Sequence, residues 1–394
     1  MPDRLRILIT NNTLAGRAGS ELYVRDLALA LMKRGHYPVA YSTVLGDVAE
    51  ELRRATVPVI DNLAYLGRAP DIIHGQHHLD AMTAMMYFPK TPAVFVCHGW
   101  LPWEEWPPVF PSIRRYIAVD DLCRERLLTT EGILERDIEI IYNFVDTERF
   151  QQRPPLPEKP RSALIFSNYA GDNRTTDALR AACARAGVGK VDVAGAGSGN
   201  IVDHPERILA GYDVVFAKGR CALEAMAVGC AVIIADFSGL GGMVTTDNVA
   251  SLRKLNFGVR TMQSSKVNEE SVFRELQKYS ANDAKQVSDW IRNEGNMSTA
   301  IDKWLRVYEH VLVDWVALPE ESVNQMANAQ LPASSKYLRS LATMVKDRYE
   351  LAYRYQQVNQ ERQMLESSWD EIRRSRAWKM IAGYRKFRAW LHRL

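Results

Sequence analysis

Short apolar runs alternate with amphipathic helical segments, the alternation stops at a proline-dense stretch, and then it begins again. LRILIT leads through the loop NNTLAGRAGS into ELYVRDLALALMKRG, and PVAYST, PDIIHGQ, AVFVCHG, RYIAVD and IEIIYN follow as further strand-like runs. Strands separated by helices predict a parallel sheet covered on both faces. Four of the seven residues from Pro154 to Pro160 are proline. That density continues neither a helix nor a central strand, so it marks a domain boundary. Beyond it SALIFSN, TTDALRAACARAG, KVDVAGAG, PERILAGY, DVVFA, RCALEAMAVG and AVIIAD repeat the pattern. The expected class is α/β, with two tandem Rossmann-like doubly wound domains and a C-terminal helical extension. The expected limits are 1–153 for the first domain, 161–300 for the second, 301–330 for a closing helical segment and 335–394 for the extension. Ligands of such sheets bind at the carboxyl ends of the strands, here in the cleft between the domains.

Composition narrows the class. Of the 394 residues 47% are hydrophobic and 25% charged, a globular balance that excludes wholesale disorder and collagen-like repeats. The apolar runs are strand-length, well below the ~20 residues that cross a bilayer. No secretory leader is expected at MPDRLRILIT. Five scattered cysteines without a C-x-x-C pair fit a reducing compartment and spell no zinc site. The net charge of +3 is uneven: residues 371–394 hold eight Lys/Arg against Glu371, or +7, leaving −4 on residues 1–370. The basic tail is thus where an anionic surface would be met; a nucleic-acid partner is not expected.

Two motifs carry chemistry. In AGRAGSE, Gly16 and Gly19 precede the first helix, whose N-terminus offers unpaired N–H groups and a positive dipole end to an anion. The same loop could simply make a tight strand-to-helix turn. In ALEAMAVGCAVI, Glu224 is expected in the first turn of a helix, placed to accept two hydrogen bonds from a ribose diol. Lys218, Gly219 and Arg220 stand just before it, cations that suit a diphosphate. The competing reading of Glu224 is a surface carboxylate favoured by the helix dipole.

AGSELYVRDLALALMKRGH, PDIIHGQ, His98 at the end of AVFVCHG, IIYNFVDTERF and ALEAMAVGCAVI resemble, in that order, the retaining glycosyltransferases of GT-B fold, family 4-like. The resemblance spans about residues 5–316. It implies that Gly19 approaches the transferred sugar and phosphates, that His98 lies near the sugar, and that Glu224 binds the nucleotide ribose. Two departures stand out. The family's first glutamate, eight positions before Glu224, is Phe216 here, and its diphosphate-binding Arg and Lys fall on Asn168 and Asn173. Arg174, Lys218 and Arg220 are the candidates to carry that charge.

His74, His77 and His78 cluster without further metal ligands, so a cleft-lining or structural role is expected. No D-x-D is present, and no metal or cofactor is expected. Trp100, Trp103 and Trp106, on a proline-broken loop after His98, could stack on sugars, touch lipid or cover a hydrophobic seam. From Leu341 to Ile372 apolar residues recur at alternating steps of three and four, interrupted by Arg348 and Arg362. That predicts a long amphipathic helix, with a homo-oligomeric coiled coil through 335–372 as one use. Further on, Met380, Ile381, Tyr384, Phe387 and Leu391, flanked by Trp378 and Trp390 among cations, suit an anionic membrane surface. Docking on the protein's own body or on a partner chain is the alternative. SRAWKM resembles terminal segments of some bacterial polysaccharide glycosyltransferases.

The sequence therefore leads to the expectation of a retaining, metal-independent transferase. It would move sugar from a nucleotide-diphosphate donor to a glycan acceptor, lipid-linked and in cell-surface polysaccharide synthesis. The expected location is cytoplasmic, peripheral on the inner face of the cell membrane. A nucleotide-sugar epimerase of the same architecture and a non-catalytic assembly module are the rivals.

Overall fold

The computed structural model describes residues 4–263, 265–378, 380 and 384. Residues 4–330 and 331–394 form separate units.

The first domain carries a seven-stranded parallel sheet in the order β3-β2-β1-β4-β5-β6-β7. Its strands are β1 (Arg6–Thr10), β2 (Tyr37–Tyr41), β3 (Val59–Ile60), β4 (Ile72–Gln76), β5 (Ala93–Cys97), β6 (Ile113–Ala118) and β7 (Ile138–Ile140). Helices α1 (Gly19–Lys33), α2 (Asp47–Arg54), α3 (His78–Tyr87) and α4 (Asp121–Leu128) connect them. Ile7, Leu8 and Ile9, like Val94, Phe95 and Val96, are wholly buried, which is why these strands read as continuous apolar runs.

The second domain has β8 (Ser162–Phe166), α5 (Arg174–Arg185), β9 (Lys190–Ala194), α6 (Pro205–Ile208), β10 (Val214–Ala217), α7 (Gly219–Val228), β11 (Ala231–Asp236) and β12 (Gly239–Met243). Sheet order is β12-β11-β10-β8-β9. Counted within the domain this is 5-4-3-1-2, the flavodoxin-like variant of the doubly wound plan, and its switch point lies between β8 and β10. Strand β12 pairs antiparallel with β11. Its sequence, GLGGM, reads as a loop; Gly239 and Gly242 adopt positive φ, and a Cβ at Gly239 would collide with the Met262 carbonyl oxygen.

Helices α8 (Val249–Lys254), α9 (Glu269–Leu276) and α10 (Ala281–Glu294) complete the second domain, and α11 (Met297–Val316) returns to the first. The crossing is stitched by Val145 N–H to Gly295 O (2.9 Å) and Met297 N–H to Val145 O (3.0 Å). On arrival Trp304 and Tyr308 are fully buried; the Tyr308 hydroxyl meets His74 Nδ1 at 2.6 Å, and Trp315 Nε1 donates to Lys90 O at 3.2 Å. Helix α12 (Glu320–Arg374) then runs 55 residues, through Pro332, without a break. No helix among the described residues is long and apolar enough to cross a membrane.

Because Trp304 seals the first domain from a segment beyond the second, Trp304→Ala should cost about 3–5 kcal/mol. A fall in the urea midpoint larger than that of Trp304→Phe is the expected reading.

Candidate functional site

The glycine loop is fixed from behind and left open in front. Leu14 N–H bonds Val44 O at 2.7 Å, and Asp47 and Ala49 N–H bond Ala15 and Leu14 carbonyls at 3.0 and 3.1 Å. Gly46 is required by this contact, since a Cβ there would sit 2.7 Å from Ala15 Cα. Gly19 is the reverse case: a Cβ would meet nothing within 4 Å, and at Gly16 only Glu21 Oε1 lies near, at 3.9 Å. Ala18 provides α1 with no side-chain cap, so the first-turn N–H groups face that space unmasked.

Helix α7 begins at Gly219, whose φ of +54° favours glycine. The helix starts early enough that Glu224 sits in its second turn rather than its first, and it is buried at 4% exposure. Arg220, one turn back, donates Nε–H to Glu224 Oε1 at 2.7 Å and also pairs with Asp26 of α1 across the domain boundary. Asp26 is held in turn by Arg25 (2.8 Å), Arg25 by Glu51 (3.1 Å), and Glu51 by Arg17. Arg17 returns to the second domain at Asp203 O (2.7 Å). Six charges of alternating sign thus run from Arg17 to Glu224.

Their ionisation follows from burial and neighbours. Burial would raise the Asp26 carboxyl, but Arg220 and Arg25 outweigh it and hold it below the usual range. Burial dominates at Glu224 and raises it, with Arg220 opposing. Arg220 stays protonated because Asp26 and Glu224 overcome its desolvation. Arg220 therefore serves two carboxylates.

Lys218 follows β10 as the N-cap of α7, and its Nζ lies 2.6 Å from the buried Asp236 carboxylate and 5.0 and 5.2 Å from the ring centres of Tyr169 and Phe237. Those two exposed rings are 4.6 Å apart at the carboxyl ends of β8 and β11. Arg174 is exposed at the first position of α5, on the same side of the sheet. Asn168 and Asn173 have backbone duties instead of cationic ones: Asn168 Oδ1 accepts from Ala196 N–H (3.3 Å), and Asn173 caps α5 at Thr176 (3.0 Å). Phe216 is buried in the β10 core, where an ionised glutamate would be costly.

Across the cleft, the carboxyl ends of β1, β4 and β5 gather polar groups. Asn11 Oδ1, Asn12 Oδ1, both amide atoms of Gln76 and His98 Nε2 are buried without a protein partner. Burial pushes His98 down to about 4, more than Glu105 raises it, so the ring is neutral near pH 7. Glu105 accepts the His98 backbone N–H at 2.9 Å and holds His77 Nε2 at 3.3 Å. His77 Nδ1 accepts from Asn12 N–H (3.0 Å), which puts its proton on Nε2, toward Glu105. The three neighbouring histidines thus have separate partners: His74 meets Tyr308, His77 meets Glu105, and His78 Nδ1 meets Glu104 O at 2.9 Å.

Arg126 ties the tryptophan loop down at Gly99 O (2.8 Å) and Pro102 O (3.2 Å). Trp103 packs edge-on against His78 with centroids 4.6 Å apart, and Trp100, Trp103 and Trp106 all keep exposed surface. In the tail Trp378 packs on Trp369 (5.3 Å), and Met380 and Tyr384 are exposed. Ile381, Phe387, Trp390 and Leu391, the rest of the expected stripe, lie outside the described residues. Asp26, Glu51, Gln76 and Glu105 were missed in the sequence. Each looks like an ordinary helix, strand or loop residue until the fold buries it or brings its partners to it.

Residues 17–149 match the family model described as Glycosyltransferase Family 4. A glycosyltransferase from Rickettsia africae ESF-5 superposes with a TM-score of 0.56 at 16% identity, covering 79% of this chain and 99% of that one. Anabaena Alr3699/HepE in complex with UDP and glucose also gives 0.56, at 14% identity, covering 78% and 100%. A search of curated protein sequences gave no match. The first domain is of the Glycosyltransferase Family 4 type, and the two domains together have the GT-B fold.

His98 makes stability pH-dependent in a defined direction. Unfolded, it binds a proton near 6.5; folded, only near 4. Its contribution is therefore complete above pH 6.5 and is lost as pH falls toward 4, because the unfolded chain takes up the proton first. Urea titrations of His98→Gln across that window should show a shallower pH dependence than wild type, by up to one proton.

Proposed function

We propose that the protein is a glycosyltransferase that draws on a nucleoside-diphosphate sugar and glycosylates a lipid-linked glycan in cell-surface polysaccharide synthesis. The observation that carries this reading is the meeting, across one cleft, of two helix N-termini and a buried carboxylate. The uncapped start of α1 behind Gly16 and Gly19 lies in one domain, and Lys218, Gly219 and Glu224 of α7 in the other, joined by the Arg220–Asp26 pair. Helix N-termini and a lysine supply fixed positive potential where a leaving diphosphate develops charge. Glu224 offers a carboxylate to a ribose diol. A neighbour of the same fold was crystallised with UDP-glucose, which supports testing uridine donors first.

In this reading the donor lies on the second domain and the acceptor against Gln76, His98 and the tryptophan loop of the first. His98, neutral at working pH, hydrogen-bonds the sugar through Nε2 and abstracts no proton. Catalysis by positioning and by stabilising the leaving group, without an enzymic nucleophile, suits a retaining transfer that uses no metal.

Incubation with a panel of nucleotide sugars and an acceptor should release nucleoside diphosphate. A new sugar nucleotide would instead indicate an epimerase, and no turnover of any donor an assembly module. Glu224→Ala should weaken nucleotide binding by roughly 1.5–3 kcal/mol, and Glu224→Gln by less. Lys218→Ala should reduce affinity for UDP more than for uridine. Arg220→Ala should act chiefly on stability, since it strips Asp26 and Glu224 of their shared cation.

For location we propose the inner membrane surface, with residues 371–394 as the contact. Their +7 charge predicts salt-sensitive binding to anionic vesicles. Full-length protein that ignores such vesicles at low salt would refute this.

A further inference from the structure

Most of α12 stands without packing. From Val345 to Ala377 every described residue except Asn359 is exposed. Helical propensity alone does not hold so long a helix, because most helical stability in proteins comes from burying an apolar face. Such a face exists. Assigning Leu341 to heptad position a makes Leu341, Arg348, Tyr355, Arg362 and Trp369 the a residues, and Met344, Leu351, Val358, Leu365 and Ile372 the d residues. Five heptads follow with an aliphatic or methionine side chain at every d. Six of these residues, from Leu351 to Ile372, are exposed by between 46% (Trp369) and 71% (Leu365).

We infer that residues 341–372 pair with a second copy of this chain as a parallel, in-register, two-stranded coiled coil. Two charge patterns select this occupant. First, the arginines at a are each preceded by an acid at g, in Asp347–Arg348 and Glu361–Arg362. In a parallel in-register pair an a side chain lies beside the g residue of the other strand, so each arginine meets the partner's acid of the preceding number. That arrangement turns two apparent interruptions of the seam into register-setting ion pairs, and an antiparallel pair fixes no such match. Second, residues 335–372 carry six cations (Lys336, Arg339, Lys346, Arg348, Arg354, Arg362) and six anions (Asp347, Glu350, Glu361, Glu366, Asp370, Glu371). A neutral segment has no electrostatic attraction to an anionic bilayer, and alternating signs suit a solvated pair of helices.

The test uses the full chain. Sedimentation velocity should give a dimer for wild type and a monomer for Leu351→Asp/Leu365→Asp, whose dimer dissociation constant should rise on the order of a hundredfold or more. Nucleotide binding should be unchanged, since both sites lie outside residues 4–330. Val358→Cys, at a d position, should cross-link to its own copy under mild oxidation, and Gln360→Cys, on the outer face, should not. Four of the five native cysteines are buried and the fifth is half-buried, so they give a low background. Monomeric wild type at tens of micromolar, a dimer that survives the double aspartate variant, or equal cross-linking at 358 and 360 would each overturn the inference. So would a monomer that binds vesicles through this segment.

Discussion

Arg220 is where the two domains and the two halves of the site depend on one another. It lies, itself half-buried, between the buried carboxylates of Asp26 and Glu224, so removing it leaves two desolvated charges behind. The alternation continues through Arg25, Glu51 and Arg17, and because each member neutralises its neighbours the run can be buried at all. A buried ion pair adds little net stability compared with apolar packing. Its value lies in direction: it fixes which turn of α1 faces which turn of α7, and therefore where the glycine loop stands relative to Lys218.

The two faces of the cleft are built differently. On the second domain the polar groups are satisfied by the protein itself: Lys218 by Asp236, Arg220 by two carboxylates, Asn168 and Asn173 by backbone. On the first domain several are not, with the Gln76 amide and His98 Nε2 buried and unpartnered. In the proposed function, a charged donor on the second domain would exchange existing ion pairs for new ones. A neutral, hydroxyl-rich molecule entering the first fills hydrogen bonds that the fold leaves unmade.

The sheet architecture was legible in the sequence because parallel strands buried on both faces appear as unbroken apolar runs, and Pro154–Pro160 cannot be mistaken for either element. Strand β12 was not, since GLGGM has a loop's composition and is a strand only because β11 offers it an edge. Among the candidate residues, Gly19, Lys218 and Glu224 could be singled out by their place next to strand ends and helix starts. Asp26 and Glu105 could not. Asp26 is a mid-helix aspartate with a partner 194 residues away, and Glu105 gains its meaning from a loop folded back onto His98 and His77. Arg220 was visible as a cation, but its two carboxylate partners could not be counted from the sequence.

Helix α11 brings Trp304 and Tyr308 back onto His74, so the first domain is assembled from two stretches of chain with the whole second domain between them. During synthesis the seven-stranded sheet is complete at Ile140, yet the surface around His74 waits for a cover more than 160 residues later. At ordinary elongation rates that delay is roughly ten to thirty seconds. The second domain has time to fold first, while the earlier one stays unsealed beside the ribosome. The order of birth and the order of completion are therefore inverted: the domain that is made first is finished last.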